Sequence, residues 1–165
     1  METNKILFIT VSVVIYALLS IFVIKTITKH FRKSAFQDDN YNYYAIILSG
    51  LILSSGLFGK ELFGVLNDTF SIIQKNNSGL SDFYRTASVF AISGIIMNSI
   101  AYYLSFILLK IIFEKVKIKN QYASDQFGYF LVFTFLIIML SLISIPLYHE
   151  FLILFSPKLE VGLYN

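Results

Sequence analysis

The sequence predicts an all-α integral membrane protein, a four-helix bundle built as two tandem two-helix repeats. Three observations carry this. The chain of 165 residues is 56% hydrophobic and 14% charged, with a mean hydropathy of +0.71, whereas a soluble domain is about a quarter charged. That apolar excess is too large for one water-soluble core, so part of it faces lipid. The apolar residues fall into four segments, and the basic residues gather in two of the connections between them.

The first segment runs from Ile6 to Ile24. A hydrocarbon core of about 30 Å needs about 20 helical residues, a length this segment meets. Lys5 is the one lysine before it, no small-x-small cleavage site follows, and basic residues lie on its far side. It therefore reads as a retained anchor and not as a signal peptide. The second segment, from Tyr43 to Phe58, is short and reaches the interface by including Gly59, Lys60 and Glu61. The stretch from Asn67 to Arg85 reads as an outer loop with an amphipathic helical turn. Its "NDT" at 67–69 fits a glycosylation pattern that matters only in a secretory eukaryotic host. The third segment spans Thr86 to Leu109 and the fourth Phe127 to Leu147. Pro146 lacks a backbone donor and is expected to kink or end the fourth helix. The whole chain reads as a single transmembrane domain with spans near 6–24, 43–61, 86–109 and 127–147.

Orientation follows from charge. Lys25, Lys29, Arg32 and Lys33 follow the first span, and Lys110, Lys115, Lys117 and Lys119 follow the third. The opposite side has Lys5, Lys60, Lys75, Arg85 and Lys158, dispersed over separate segments. Clustered lysine and arginine mark the cytoplasmic side, which places both termini outside. The basic runs hug the membrane, have Asp38, Asp39, Glu114 and Asp125 beside them, and lack interleaved stacking aromatics. They fit anionic lipid rather than nucleic acid.

The halves, 1–80 and 81–165, share a grammar. "FVIKTITKHFRKSAFQDDNYNYYAIILSG" and "FILLKIIFEKVKIKNQYASDQFGYFLVFT" each run from span to basic stretch to acidic-amide pair to aromatic start of the next span. Their exits, "GKELFGVL" and "YHEFLILF", align Lys60 with His149 and Glu61 with Glu150. A repeat of this kind is parallel rather than inverted.

Two groups of side chains are candidates for a role. In the third span Ala87, Ala91, Gly94, Asn98, Ala101 and Ser105 recur alternately four and three residues apart, a stripe on one helix face. Small residues let helix backbones approach closely in lipid. Asn98 should therefore meet a neighbouring helix, through Ser49, Ser54 or Ser55 of the second span or through Asn98 of another copy; the alternative is a polar site for an ion or solute. Ser49 and Gly56, in a weaker small-residue match with Ala45 and Gly59, are expected to dock against the stripe. The second group is Lys60, Glu61, His149 and Glu150. These gather at the outer surface if the second and fourth spans are neighbours, either as a proton- or cation-handling site or as interfacial residues that snorkel to water at the helix ends.

No motif points to a reaction. With no cysteine there is no disulfide, thiolate metal site or cysteine nucleophile. His30 and His149 fall on opposite sides of the membrane, and no Gly-rich phosphate loop, GxSxG elbow or HExxH occurs. No catalytic residue, cofactor or metal is expected. The reading is a non-enzymatic helix-packing subunit that assembles with itself or with another membrane protein in the lipid bilayer. The alternative is a channel or transporter subunit for protons, cations or a small solute, acting as an oligomer.

Read together, these residues resemble the bacterial inner-membrane family called domain of unknown function 350. "DNYNYYAIILSGLILSSG" at 39–56 looks like that family's Asn-x-Ala-rich start of a second helix, through Asn40 or Asn42, Ala45, Ile46, Gly50 and Gly56. "GIIMN" at 94–98 is similar to its Gly-Ile-hydrophobic-hydrophobic-Asn stretch. The second repeat departs from the pattern, since "SDQFGYFLVF" has Gly128 but no Asn-x-Ala. The resemblance implies four spans as two repeats in a bacterial inner membrane, and no activity.

Overall fold

The computed structural model describes residues 2–29, 41–76, 80–113 and 127–158, all of them helical apart from the segment ends. His30, Arg32, Lys33, Asn40, Asn77, Lys115, Lys117 and Lys119 lie outside the described residues. Four helices follow in order: α1 (Glu2–Ile27), α2 (Tyr41–Lys75), α3 (Leu80–Ile112) and α4 (Phe127–Leu154). Each is long and apolar enough to cross a membrane.

Two helices run beyond the spans expected from hydropathy. The stretch 67–85 is not an outer loop, because α2 continues to Lys75 and α3 begins at Leu80. Periodicity explains the extension. Leu62, Leu66, Thr69, Phe70 and Ile73 are buried on one face while Asn67, Asp68 and Gln74 are exposed. Mean hydropathy falls there, but the apolar stripe that anchors a helix continues. On α3, Phe83 is fully buried against the same face, its ring 5.3 Å from that of Phe70. At about 1.5 Å per residue, the 35 residues of α2 measure about 52 Å, well over one hydrocarbon thickness.

The fourth helix also outlasts its expectation. It does not end at Pro146 but continues to Leu154. Tyr148 and Leu152, on the turns after the proline, are completely buried. The Tyr148 hydroxyl donates to the Phe90 carbonyl of α3 at 2.9 Å. Neighbouring helices can hold a proline-containing turn in place when the freed groups and side chains find partners.

The helices α2, α3 and α4 pack mutually, and α1 lies against α2 and α3. Viewed down the membrane normal they form a rhombus, with α2 and α3 on the short diagonal and α1 and α4 at the far corners. A two-fold axis exchanging α1 with α3 and α2 with α4 would make α1 meet α4 as closely as α2 meets α3. That relation is lacking: α2 packs on α3, while α1 has no comparable contact with α4. On one side the ends of α1, α2 and α4 are tied together. Lys5 Nζ donates to Ser71 Oγ at 2.8 Å, and Asn76 Nδ2 to the Lys158 carbonyl at 2.9 Å.

The interior divides into two apolar clusters along the bundle axis. One contains Ile9, Tyr16, Phe58, Leu62, Phe83, Phe90 and Tyr148, among others. The other contains Ile24, Ile47, Leu51, Tyr102, Phe130, Phe133 and Ile137. Gly50 belongs to the second level, where a Cβ would come within 2.7 Å of Thr134 Cγ2 on α4. Thr134 in turn donates to the Ile46 carbonyl of α2 at 3.1 Å. The absence of a side chain thus sets how closely α2 and α4 approach.

Candidate functional site: a polar node, an ion pair and two lateral grooves

Between the two apolar clusters sits a polar node. Asn98 is buried, and its Oδ1 accepts from Ser54 Oγ of α2 at 2.6 Å. Ser54 Oγ is also 2.5 Å from Ser141 Oγ of α4. Each hydroxyl has one hydrogen: Ser54 gives its own to Asn98, and the Ser141 hydrogen is shared between Ser54 Oγ and the Ile137 carbonyl of α4, 2.7 Å away. This joins three helices at one level, with every oxygen in the chain accepting or donating. Ser54 and Asn98 are therefore partners within one chain. Another copy's Asn98 is excluded as the partner by the burial of this one.

All six stripe residues, Ala87, Ala91, Gly94, Asn98, Ala101 and Ser105, are buried. Gly94 lies between two tyrosines from opposite corners of the rhombus. A Cβ there would come within 2.8 Å of Tyr148 Oη and 3.1 Å of Tyr16 Cε2. Tyr16 Oη donates to the Ser55 carbonyl at 3.0 Å. Each tyrosine hydroxyl thus caps a backbone carbonyl of an adjacent helix, which satisfies it away from water. Tyr16 and Tyr148 escaped the sequence reading. Tyr16 was the single phenol of the aliphatic stretch "VVIYALL", whereas Tyr148, in "IPLYHE", stood between a proline and two polar residues.

Two expected packing residues are corrected. Ser49 is exposed and its hydroxyl turns back to its own helix, donating to the Ile46 carbonyl at 2.7 Å. Gly56 is exposed and a Cβ there would meet nothing within 4 Å. The α2 face that meets the stripe carries Leu51, Ser54, Phe58 and Leu62, two residues and so about 200° around the helix from Ser49 and Gly56.

The outer quartet does not gather as a unit. Glu61 Oε2 lies 3.1 Å from His149 Nδ1, with the side chains 23% and 44% exposed. The carboxylate accepts, so the imidazole carries its proton on Nδ1. Lys60 and Glu150 are exposed and turn away from this pair and from each other. The four do not mark helix ends either: α2 continues 14 residues past Glu61 to Lys75, and α4 continues past Glu150 to Leu154. Among the described residues, no three His, Asp or Glu side chains gather as a metal site.

Lys60 and Glu150 each border a lateral groove. The first, about 480 Å³, opens between α1 and α2 and is lined by Val13, Tyr16, Ser20, Gly56, Lys60 and Phe63 among others. Ser20 is buried on its floor with an Oγ that has no hydrogen-bond partner among the described residues. The second, about 530 Å³, lies where Met97 of α3 faces Leu147, Glu150, Phe151 and Leu154 of α4. The α1–α2 and α3–α4 edges are opposite sides of the rhombus.

Four apolar helices with a buried polar node define the class: this is an all-helical, multi-pass membrane protein. No family model matches the chain, and no curated protein or solved structure matches it either.

Proposed function

We propose that this protein is a non-enzymatic assembly subunit of a membrane complex, whose rigid bundle presents lateral surfaces to neighbours in the bilayer. The observation that carries this reading is the pair of apolar grooves on opposite edges of a bundle whose middle is closed. Inside, the Ser141–Ser54–Asn98 chain lies between two packed apolar clusters, where a conducting path would need a continuous line of hydrated polar groups. Outside, aliphatic and aromatic side chains cover the flanks, as lipid or a partner helix requires.

The membrane is the bacterial inner membrane, with both termini outside. The clustered Lys25, Lys29 and Lys110, together with the basic residues of the two inner connections, support the orientation. The resemblance to the domain of unknown function 350 family supports the compartment. A second reading, a proton- or cation-handling subunit, draws on the Glu61–His149 pair, an acid and a base bonded across two helices.

The deciding experiment reconstitutes the purified protein in nanodiscs and liposomes. Native mass and co-purifying proteins are read from the first, proton and cation flux from the second. A discrete oligomer or stoichiometric complex without flux is expected. A lone monomer without co-purifying protein would remove this reading, and flux lost in Glu61→Gln/Glu150→Gln would replace it with the second.

A further inference from the structure

The Glu61–His149 bond fixes the relative depth of two other charges. Lys60 precedes Glu61 on α2 and Glu150 follows His149 on α4, so Lys60 and Glu150 share one level of the bundle. They lie on opposite edges, Lys60 in the α1–α2 groove and Glu150 in the α3–α4 groove. Among the described residues neither makes an ion pair.

This level is inside the apolar zone. Val13 lines the groove beside Lys60, and the apolar run of α1 continues outward seven more residues to Ile6, about 10 Å at 1.5 Å per residue. Phe63 on α2 and Ile153, Leu154 and Phe155 beyond Glu150 are also exposed on the outward side. Charges at such a depth are costly unless paired. Lysine can snorkel on its long stem, but glutamate is too short to escape the same way. Each edge thus presents an apolar groove with one unpaired charge, of opposite sign and at matching depth.

We propose that the occupant of each groove is a second copy of this chain, docked head to tail so that Lys60 of one copy pairs with Glu150 of the next. This rests on the assembly reading above and specifies its partner. Copies of one chain lie at one depth automatically, so the two charges face each other with about 3 Å of rise between them, within reach of the lysine stem. The contact joins different faces, so it is heterologous: it builds a ring where the rotation between copies closes about the membrane normal and an open row where it does not. Neither charge pairs with its own counterpart, which excludes a two-fold dimer through either groove.

The chain lacks cysteine, so single cysteines report contacts cleanly. Full-length Lys60→Cys and Glu150→Cys chains, carrying different tags, are co-expressed and oxidised in the membrane with iodine, which partitions into lipid. Disulfides are expected between the two tags, and none within either variant alone. The double variant should give a ladder of covalent multimers. Native mass in nanodiscs supplies the second readout: Lys60→Glu alone should lose the oligomer and Lys60→Glu/Glu150→Lys should regain it. Self-crosslinking of Lys60→Cys alone, or an oligomer indifferent to both reversals, overturns the head-to-tail contact while leaving assembly intact. Loss of bound anionic lipid in Lys60→Glu, with mass unchanged, would assign that groove to lipid and also overturn it. A wild-type monomer with no co-purifying protein would remove the assembly reading itself.

Discussion

Ser54 Oγ donates to Asn98 Oδ1 across 2.6 Å, binding α2 to α3 at the level where the two apolar clusters meet. Ser141 extends the chain to α4. An asparagine in lipid needs a partner, and here it finds one on another helix of the same molecule. Interhelical bonds of this kind contribute about 0.6 kcal/mol and at most about 1.7 kcal/mol. Asn98→Leu should therefore lower unfolding stability in detergent without changing the mass of the assembled protein. A double-mutant cycle with Ser54→Ala should return a coupling of about 0.6–1.7 kcal/mol. Zero coupling, or dissociation of an oligomer in Asn98→Leu alone, would contradict an intrachain role.

Gly94 tests the close approach of Tyr16 and Tyr148. With Tyr148 Oη only 2.8 Å from the place a Cβ would occupy, Gly94→Ala must push the phenol off the Phe90 carbonyl or separate α3 from α4. Overpacking of this kind costs about 1–3 kcal/mol. Gly56→Ala, which adds a methyl to open space, should cost nothing and gain up to about 1 kcal/mol in helix propensity. Thermal unfolding of the two alanine variants side by side separates a packing glycine from a surface one.

The Glu61–His149 pair lies at the same level as Lys60 and Glu150, and a Gln amide oxygen in place of the carboxylate can still accept from His149 Nδ1, 3.1 Å away. Glu61→Gln should leave folding nearly untouched. Under the assembly reading it should also leave liposomes as impermeable to protons as the wild type. A proton current in the wild type that disappears in Glu61→Gln would move the pair from structure to transport.

Orientation can be read with impermeant thiol reagents on the cysteine-free background. Lys75→Cys, at the end of α2, should label from outside intact cells, and Lys29→Cys, just past α1, only after permeabilisation. The reverse pattern would invert the topology while leaving the bundle unchanged.

The stripe on α3 shows how far a pattern can be read. Its alternating spacing of four and three placed all six members on one face, and that face is buried. Small residues have few other uses on a lipid-surrounded helix. The matching face of α2 was misjudged by about half a turn, because Ser49, Gly50, Ser54, Ser55, Gly56 and Gly59 encircle that helix and favour no single side. Hydropathy likewise stopped α2 and α3 short, since averaging hides an amphipathic stripe such as Leu66, Phe70 and Ile73.

What the sequence determines by itself is the number of spans, their helical form and the burial of Asn98. These depend on local physics: apolar length against bilayer thickness, and the cost of an unpartnered amide in lipid. What only the tertiary structure decided is which groups meet. Ser54 rather than Ser49 or Ser55 reaches Asn98, Tyr148 crosses to Phe90 past the proline, and Glu61 finds His149 while Lys60 and Glu150 diverge. Adjacent residues on a helix point about 100° apart. Neighbours in the chain are therefore sent to different faces, and only the packing of the four helices assigns a partner to each face.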